Sequence, residues 1–296
     1  MTTENSNPRF VDLDAWPVAD ILEAMWEGQA SAVSAVRAAL PALARAVDAA
    51  AAALGTKGRL VYAGAGTSGR IAVQDGAELP PTFDWPESRV VFAMAGGPRA
   101  LTRSAEGAED DDKAGAAAMR AARVGRGDVV IGVAASGTTP FTLAALREAR
   151  KRGAVTIAVA SNRNAPLLKA AAFPILAETG SEVIAGSTRM KAGTAQKIVL
   201  NLLSSAVMVR LGRIHRGLMV NMRPTNDKLR KRAAAMVAQL CDCPVAAARK
   251  ALDAADGDVK TAVLLRSGAS LRQARALLGK NGGNLRLALA ALGTQA

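Results

Sequence analysis

Two glycine turns that carry hydroxyls are the first places in this sequence where chemistry could happen. One is GAGTSGR, where Gly64, Gly66 and Gly69 permit close backbone approach and Thr67 and Ser68 add hydroxyl donors. The other is ASGTTP, which sets Ser136, Gly137, Thr138 and Thr139 ahead of Pro140. Each follows an apolar run that reads as a strand and precedes a helical pattern, so each would aim helix N-terminal amides at an anion. GAGTSG also fits the dinucleotide pattern G-x-G-x-x-G, which requires an acidic residue at the end of the second strand to hold a ribose. That strand ends in AMAGG, and Asp84 falls before it begins. Two hydroxyl-rich turns at neighbouring strand ends therefore favour a phosphate monoester over a nicotinamide cofactor.

Carboxylates are the remaining acid and base groups. One histidine and the two cysteines of CDCP, Cys241 and Cys243, supply no usual metal set, so no metal is expected. His215, in GRIHRG, stands outside any nucleophile context and reads as structural or surface. Glutamates near the strand ends occur in three places: Glu78 in GAELPPTF, Glu106 and Glu109 in EGAEDDD, and Glu182 in GSEVIAGSTRMKAG. Pro80 and Pro81 should stop the helix after the first turn and could hold the Glu78 carboxylate in place.

The elements that must position these groups follow from the apolar pattern. RLVYAGAG, RVVFAMAGG, DVVIGVAAS, AVTIAVAS and AAFPILAE are short, apolar throughout and separated by helical stretches. That is what a parallel sheet covered on both faces requires. The fold class is α/β, a doubly wound five-stranded parallel sheet with N-terminal helices and a small all-α C-terminal domain. We divide the chain into an N-terminal helical arm (1–54), an α/β domain that carries the hydroxyl turns (55–227) and a helical C-terminal domain (228–296). The first ten residues read as disordered. Helix is expected over 14–54, with Pro17 and Pro41 as starts or breaks, and again over 188–211, opened by capping hydroxyls. In the tail, ARKALDAADGDVKTAV aligns without gaps on ARALLGKNGGNLRLAL, pairing Asp258 with Asn284, so each repeat reads as helix, glycine turn, capped helix.

Bulk properties narrow the classes further. The chain is 296 residues with net charge +13; residues 1–209 carry 22 basic and 20 acidic side chains, residues 210–296 carry 16 and 5. The basic excess therefore sits in the tail, whose repeats hold no aromatic residue, so nucleic acid is not expected as a partner. MTTENSNPRF is polar, so no leader peptide is expected; no unbroken apolar run is long enough to span a bilayer, and the adjacent cysteines suit a reducing cytoplasm.

Taken together, GAGTSGR, GAELPPTF, AEGAEDD, AASGTTPF and above all GSTRMKAGTAQKIVLNLLS with NMRPTN resemble the N-acetylmuramic acid 6-phosphate etherases of the sugar isomerase domain superfamily. The likeness spans about residues 60–229 in the family's order. It implies a homodimeric enzyme without cofactor, and the tail resembles the small helical domain that ends these enzymes. The reaction implied is cleavage of the lactyl ether of N-acetylmuramic acid 6-phosphate in cell-wall recycling, by elimination and then hydration. Carried onto matching positions, the family pattern makes Glu78 the proton donor, with a pKa that has to be raised, and Glu109 the second catalytic glutamate, which we assign as the C2 base. It implies phosphate anchors at Thr67, Ser68, Gly69, Ser136, Gly137, Thr138 and Thr139, with Ser187, Thr188 and Lys191 closing the site. Leu79 stands where many relatives carry cysteine. Two rivals remain open here: a sugar-phosphate isomerase using Glu182, and a non-catalytic sugar-phosphate-sensing regulator.

Overall fold

The computed structural model describes residues 2–222, 224 and 226–293; Arg223 and Thr225 of the NMRPTN segment lie outside them. In chain order the main elements are α1 (Val18–Leu54), β1 (Leu60–Gly64), α2 (Gly66–Ala77), α3 (Leu79–Phe83), β2 (Val90–Met94), α4 (Asp112–Ala121), β3 (Val129–Val133), α5 (Pro140–Lys151), β4 (Val155–Ala160), α6 (Pro166–Ala170), β5 (Phe173–Leu176) and α7 (Lys191–Arg210). After them come α8 (Asp227–Cys241), α9 (Val245–Ala254), α10 (Val259–Arg266), α11 (Leu271–Lys280) and α12 (Leu285–Ala291). Contacts group them into two compact units, Met1–Ala77 with Ser88–Ser205, and Glu78–Glu87 with Ala206–Ala296.

In the first unit, five parallel strands pair in the order β2-β1-β3-β4-β5 among the described residues. Alternation along the strands supplies both faces. Val61, Ala63, Val130 and Ala158 join Met119, Ala145, Leu146 and Leu167 in one core layer beneath α4, α5 and α6. On the sheet's other face, Tyr62 donates to Asp75 of α2 at 2.9 Å, and Ser204 of α7 donates to the same carboxylate at 3.1 Å. Burial pushes the Asp75 pKa up, against the hydrogen bonds from Tyr62 and Ser204 and the charge of Lys197, which hold it down. α4 and α5 approach so closely that a Cβ at Gly115 would stand 2.1 Å from the Phe141 carbonyl oxygen.

Three expectations change. Pro41 lies inside α1 without ending it. Ala39, Leu43, Ala46 and Ala50, on the helix face around it, are buried, and that packing outweighs one lost backbone bond. Residues 2–10 are not the disordered lead expected: Thr2 donates to the Asn162 side chain at 2.9 Å, Asn162 donates to Thr3 at 3.0 Å, and Thr3 is buried. The third change, at the start of α7, belongs to the site. Two helices, α1 and α7, are long and apolar enough by length and composition to cross a membrane. α7 spends that apolarity on buried positions such as Ala192, Ala195, Val199, Leu200 and Leu203.

The second unit closes around its own core, which includes Val220, Met236, Val237, Leu252, Val259, Leu264, Leu285 and Leu289. Asp258 and Asn284, paired by the repeat, both cap helices, accepting from the Thr261 and Leu287 amides at 2.7 and 3.2 Å.

One ion pair fastens the sheet's opposite end. Asp128, before β3, accepts from the Arg59 backbone and guanidinium (3.1, 3.1 and 2.6 Å) and from the Gly125 amide. Burial works against the charged carboxylate, but these bonds outweigh it and hold its pKa below the usual 3.8. A depressed folded pKa contributes stability that is present above the unfolded value and lost as pH falls through the folded one. We expect Asp128→Asn to lower stability by on the order of 2 kcal/mol at neutral pH. The difference from the parent should shrink once pH drops below the carboxylate range, as followed by urea denaturation across pH.

Candidate active site

The strand order places both hydroxyl turns at one edge of the sheet. β1 is flanked by β2 on one side and β3 on the other, so the chain reverses direction across the sheet at β1. Such a switch point opens a crevice beyond the carboxyl ends of its strands. The turns after β1 and β3 are therefore neighbours.

The first turn is made by glycine packing. A Cβ on Gly64 would stand 2.9 Å from the Gly69 Cα, and one on Gly69 would stand 2.3 Å from the Met94 sulfur. Only hydrogen fits at either position, so α2 starts hard against β1. Gly66, at φ +51°, makes the bend. The first closed turn of α2 is the Gly69 amide on the Ala65 carbonyl at 2.9 Å. The amides of Gly66, Thr67 and Ser68 come before it and point out of the helix start. Thr67 and Ser68 are half-buried and Gly69 is buried.

The second turn is braced from inside. Gly137 sits at φ +69°, and a Cβ there would stand 2.4 Å from that of Ala165. Its carbonyl accepts from the Leu167 amide at 3.0 Å. Within the turn, the Ser136 hydroxyl accepts from the Thr138 amide and from the Thr138 hydroxyl, at 3.2 and 3.1 Å. Asn162, at the end of β4, donates to the Ala135 carbonyl at 3.1 Å. Its position in SNRN directly after the fourth apolar run is the only mark of this role in the sequence. Ser136 and Thr139 are half-buried and Thr138 is exposed, so their hydroxyls can be reached.

Glu109 is brought beside this second turn. Its carbonyl accepts from the Phe141 amide in the first turn of α5 at 3.0 Å, and its side chain is exposed. Asp111 caps α4 through the Ala114 amide at 2.8 Å. Glu106 is also exposed. Glu78 belongs to the second unit, where it is the exposed residue preceding α3.

Glu182 has a different place. It is fully buried, and its two carboxylate oxygens accept from the Lys191 and Ala192 amides, both at 2.9 Å. α7 is thus capped by a carboxylate nine residues upstream, where the sequence suggested hydroxyls. A buried negative charge meets the positive end of the helix dipole, which a hydroxyl would match less well. The Lys191 ammonium donates to the Thr179 carbonyl at 2.8 Å; burial lowers its pKa while Glu182 raises it. Ser187 and Thr188 are half-buried, and the Thr188 carbonyl accepts from the Gly193 amide. A Cβ at Gly193 would stand 3.3 Å from that carbonyl oxygen and 3.7 Å from the Thr67 methyl, so the start of α7 packs against the first turn.

The remaining groups are structural. His215 is buried and bridges Leu218 by backbone bonds in both directions; burial, then Arg286 and Arg216, lower its pKa and keep it neutral. Among the described residues no three His, Cys, Asp or Glu side chains gather as a metal site would require.

The sheet order and the paired hydroxyl turns are those of a SIS domain: the SIS domain model matches residues 102–206, and that of the glucokinase regulatory protein N-terminal SIS domain matches residues 42–150. The chain belongs to the N-acetylmuramic acid 6-phosphate etherase family. It is 49% identical to the N-acetylmuramic acid 6-phosphate etherase of Deinococcus radiodurans over 298 residues, covering 99% of this chain and 98% of that one. The enzyme of the same name from Halalkalibacterium halodurans is 45% identical, covering 98% and 97%. Among solved structures, a phosphoheptose isomerase from Francisella tularensis is 17% identical, with a TM-score of 0.47, covering 66% of this chain and 98% of that one.

Because Glu182 serves α7, its removal should be felt first in stability. Glu182→Ala strands two buried amides, and we expect a loss of about 1–3 kcal/mol. Thermal unfolding with and without inorganic phosphate measures it.

Proposed function

We propose that this protein cleaves the D-lactyl ether of N-acetylmuramic acid 6-phosphate, releasing N-acetylglucosamine 6-phosphate and D-lactate in cell-wall recycling. The observation that carries the reading is the 49% identity with a named etherase over nearly the whole of both chains. The phosphate would sit at the two glycine turns, held by Thr67, Ser68, Gly69, Ser136, Gly137, Thr138 and Thr139, with Ser187, Thr188 and Lys191 closing over it. In the open-chain sugar the C1 aldehyde acidifies the C2 proton. Glu109 removes that proton, the C3–oxygen bond breaks, and Glu78 protonates the departing lactate oxygen. Water then adds to C3 of the unsaturated aldehyde and a proton returns to C2.

We read the proton donor as one that a second copy of the chain covers, because Glu78 is exposed in the single chain. The homodimer has a candidate seam on α1, where Leu22, Trp26, Val33 and Leu40 are all at least 41% exposed. With Trp26, Val33 and Leu40 spaced by seven and Leu22 one turn earlier, they form one narrow stripe. We read the location as cytoplasmic: Cys241 and Cys243 are free thiols, and burial pushes the Cys241 thiol up to about 11, out of reach of ready oxidation. The isomerase alternative loses its base, since Glu182 is already held by two amides.

Turnover in heavy-oxygen water tests the chemistry: label should appear on C3 of the amino sugar while lactate stays unlabelled, and labelled lactate would exclude elimination. Glu78→Gln and Glu109→Gln should each lower kcat by on the order of 100- to 10,000-fold. Trp26→Arg should convert the dimer to a monomer on sedimentation and lose lactate release with it. A fully active monomer would remove the second copy from the mechanism.

A further inference from the structure

The segment that carries Glu78 cannot hold its own shape. α3 is five residues long, with Pro80 and Pro81 in its first turn, where no amide has a partner within the helix, so a helix this short closes few bonds of its own. The backbone bonds around it include Thr82 on the Glu78 carbonyl at 3.2 Å and Trp85 on the Leu79 carbonyl at 3.4 Å, with the Asp84 amide also on Leu79. Glu78 makes no side-chain capping bond among the described residues. The direction of its carboxylate therefore depends on what fixes the backbone of residues 78–85.

Arg213 is that fixture. One of its guanidinium nitrogens donates to the Phe83 carbonyl at 2.8 Å and to the Asp84 carbonyl at 2.7 Å, the two acceptors that the helix end would otherwise leave open. The same guanidinium lies over the buried Trp85 ring, 5.2 Å from its centroid. Asp84, left-handed at φ 49°, folds the chain so that ring and carbonyls face one side chain. Arg213 is itself anchored. Its amide bonds the Met208 carbonyl at 3.0 Å, and Gly212 before it sits at φ +71°, where a Cβ would stand 2.9 Å from Asn284. All these groups lie within the second unit.

We propose that Arg213 is a positioning residue for Glu78, holding the α3 segment so that the carboxylate meets the leaving oxygen. The proposal rests on the reading of Glu78 as proton donor. Lysine would be a poor substitute, because an ammonium lacks the planar face that covers Trp85 while bonding two carbonyls.

A double-mutant cycle tests it: kcat and KM for lactate release are measured for Arg213→Ala, Arg213→Lys, Glu78→Gln and the double variant Arg213→Ala/Glu78→Gln, with circular dichroism and thermal unfolding on each. We expect Arg213→Ala to lower kcat about 10- to 100-fold with KM within about 2-fold, the signature of a displaced group acting in the transition state. Arg213→Lys should recover part of the loss. On the Glu78→Gln background, Arg213→Ala should add no further loss, because the group it positions is already gone. An unchanged kcat in Arg213→Ala, a change in KM alone, or an equal loss with and without Glu78 would overturn the proposal. Full activity in Glu78→Gln would instead overturn the assignment of the proton donor, whatever Arg213 does. If Arg213→Ala does not fold, Arg213→Lys and the double variant Arg213→Lys/Glu78→Gln carry the same cycle with a smaller expected loss.

Discussion

Gly64 and Gly69 meet with only hydrogen between them, and that contact decides where β1 stops and α2 begins. The free amides of the helix start consequently emerge at the carboxyl edge of the sheet, beside the turn that follows β3. A methyl group at either position would push α2 off the strand and carry Thr67 and Ser68 with it. The second turn repeats the device at Gly137, wedged against Ala165. Both turns thus owe their shape to backbone geometry, while two cations beside the first are held by carbonyls: Lys191 by Thr179, and Arg70 by Ala100 and Arg103.

The carboxylates near these turns differ in burial. Asp75 and Glu182 are internal and saturated with hydrogen bonds, so they hold helices in place. Glu78 and Glu109 are exposed, and their backbone carbonyls accept from Thr82 and Phe141. Glu182 shows why sequence context alone can mislead, since a glutamate beside a hydroxyl-rich segment looks like a base until its two acceptors are found occupied.

The sheet was legible because buried parallel strands are apolar on both faces, which no surface element imitates. Asp258 and Asn284 were legible for a local reason as well, since each follows a glycine turn and precedes an apolar helix. Pro41 was not, because whether a proline ends a helix depends on how much packing lies on either side of it. The ordering of Thr2 and Thr3 depends on Asn162, and the hold on α3 depends on Arg213, each more than a hundred residues away in the chain. The hydroxyl turns could be found by composition and spacing, whereas their braces required knowing which strand ends are neighbours.

The loan of residues 78–87 to the C-terminal unit has a consequence for how the protein is made. These ten residues leave the ribosome long before Arg213 and the helices that follow it, so the nascent chain must carry them unclamped through most of translation. The unit they join is sewn from two distant lengths of chain and cannot close until the later one has been synthesised. On the proposed reading of Glu78, proton donation is thereby tied to completion of the polypeptide: a ribosome that stalls within α7 leaves a sheet with its hydroxyl turns and an unclamped α3 segment.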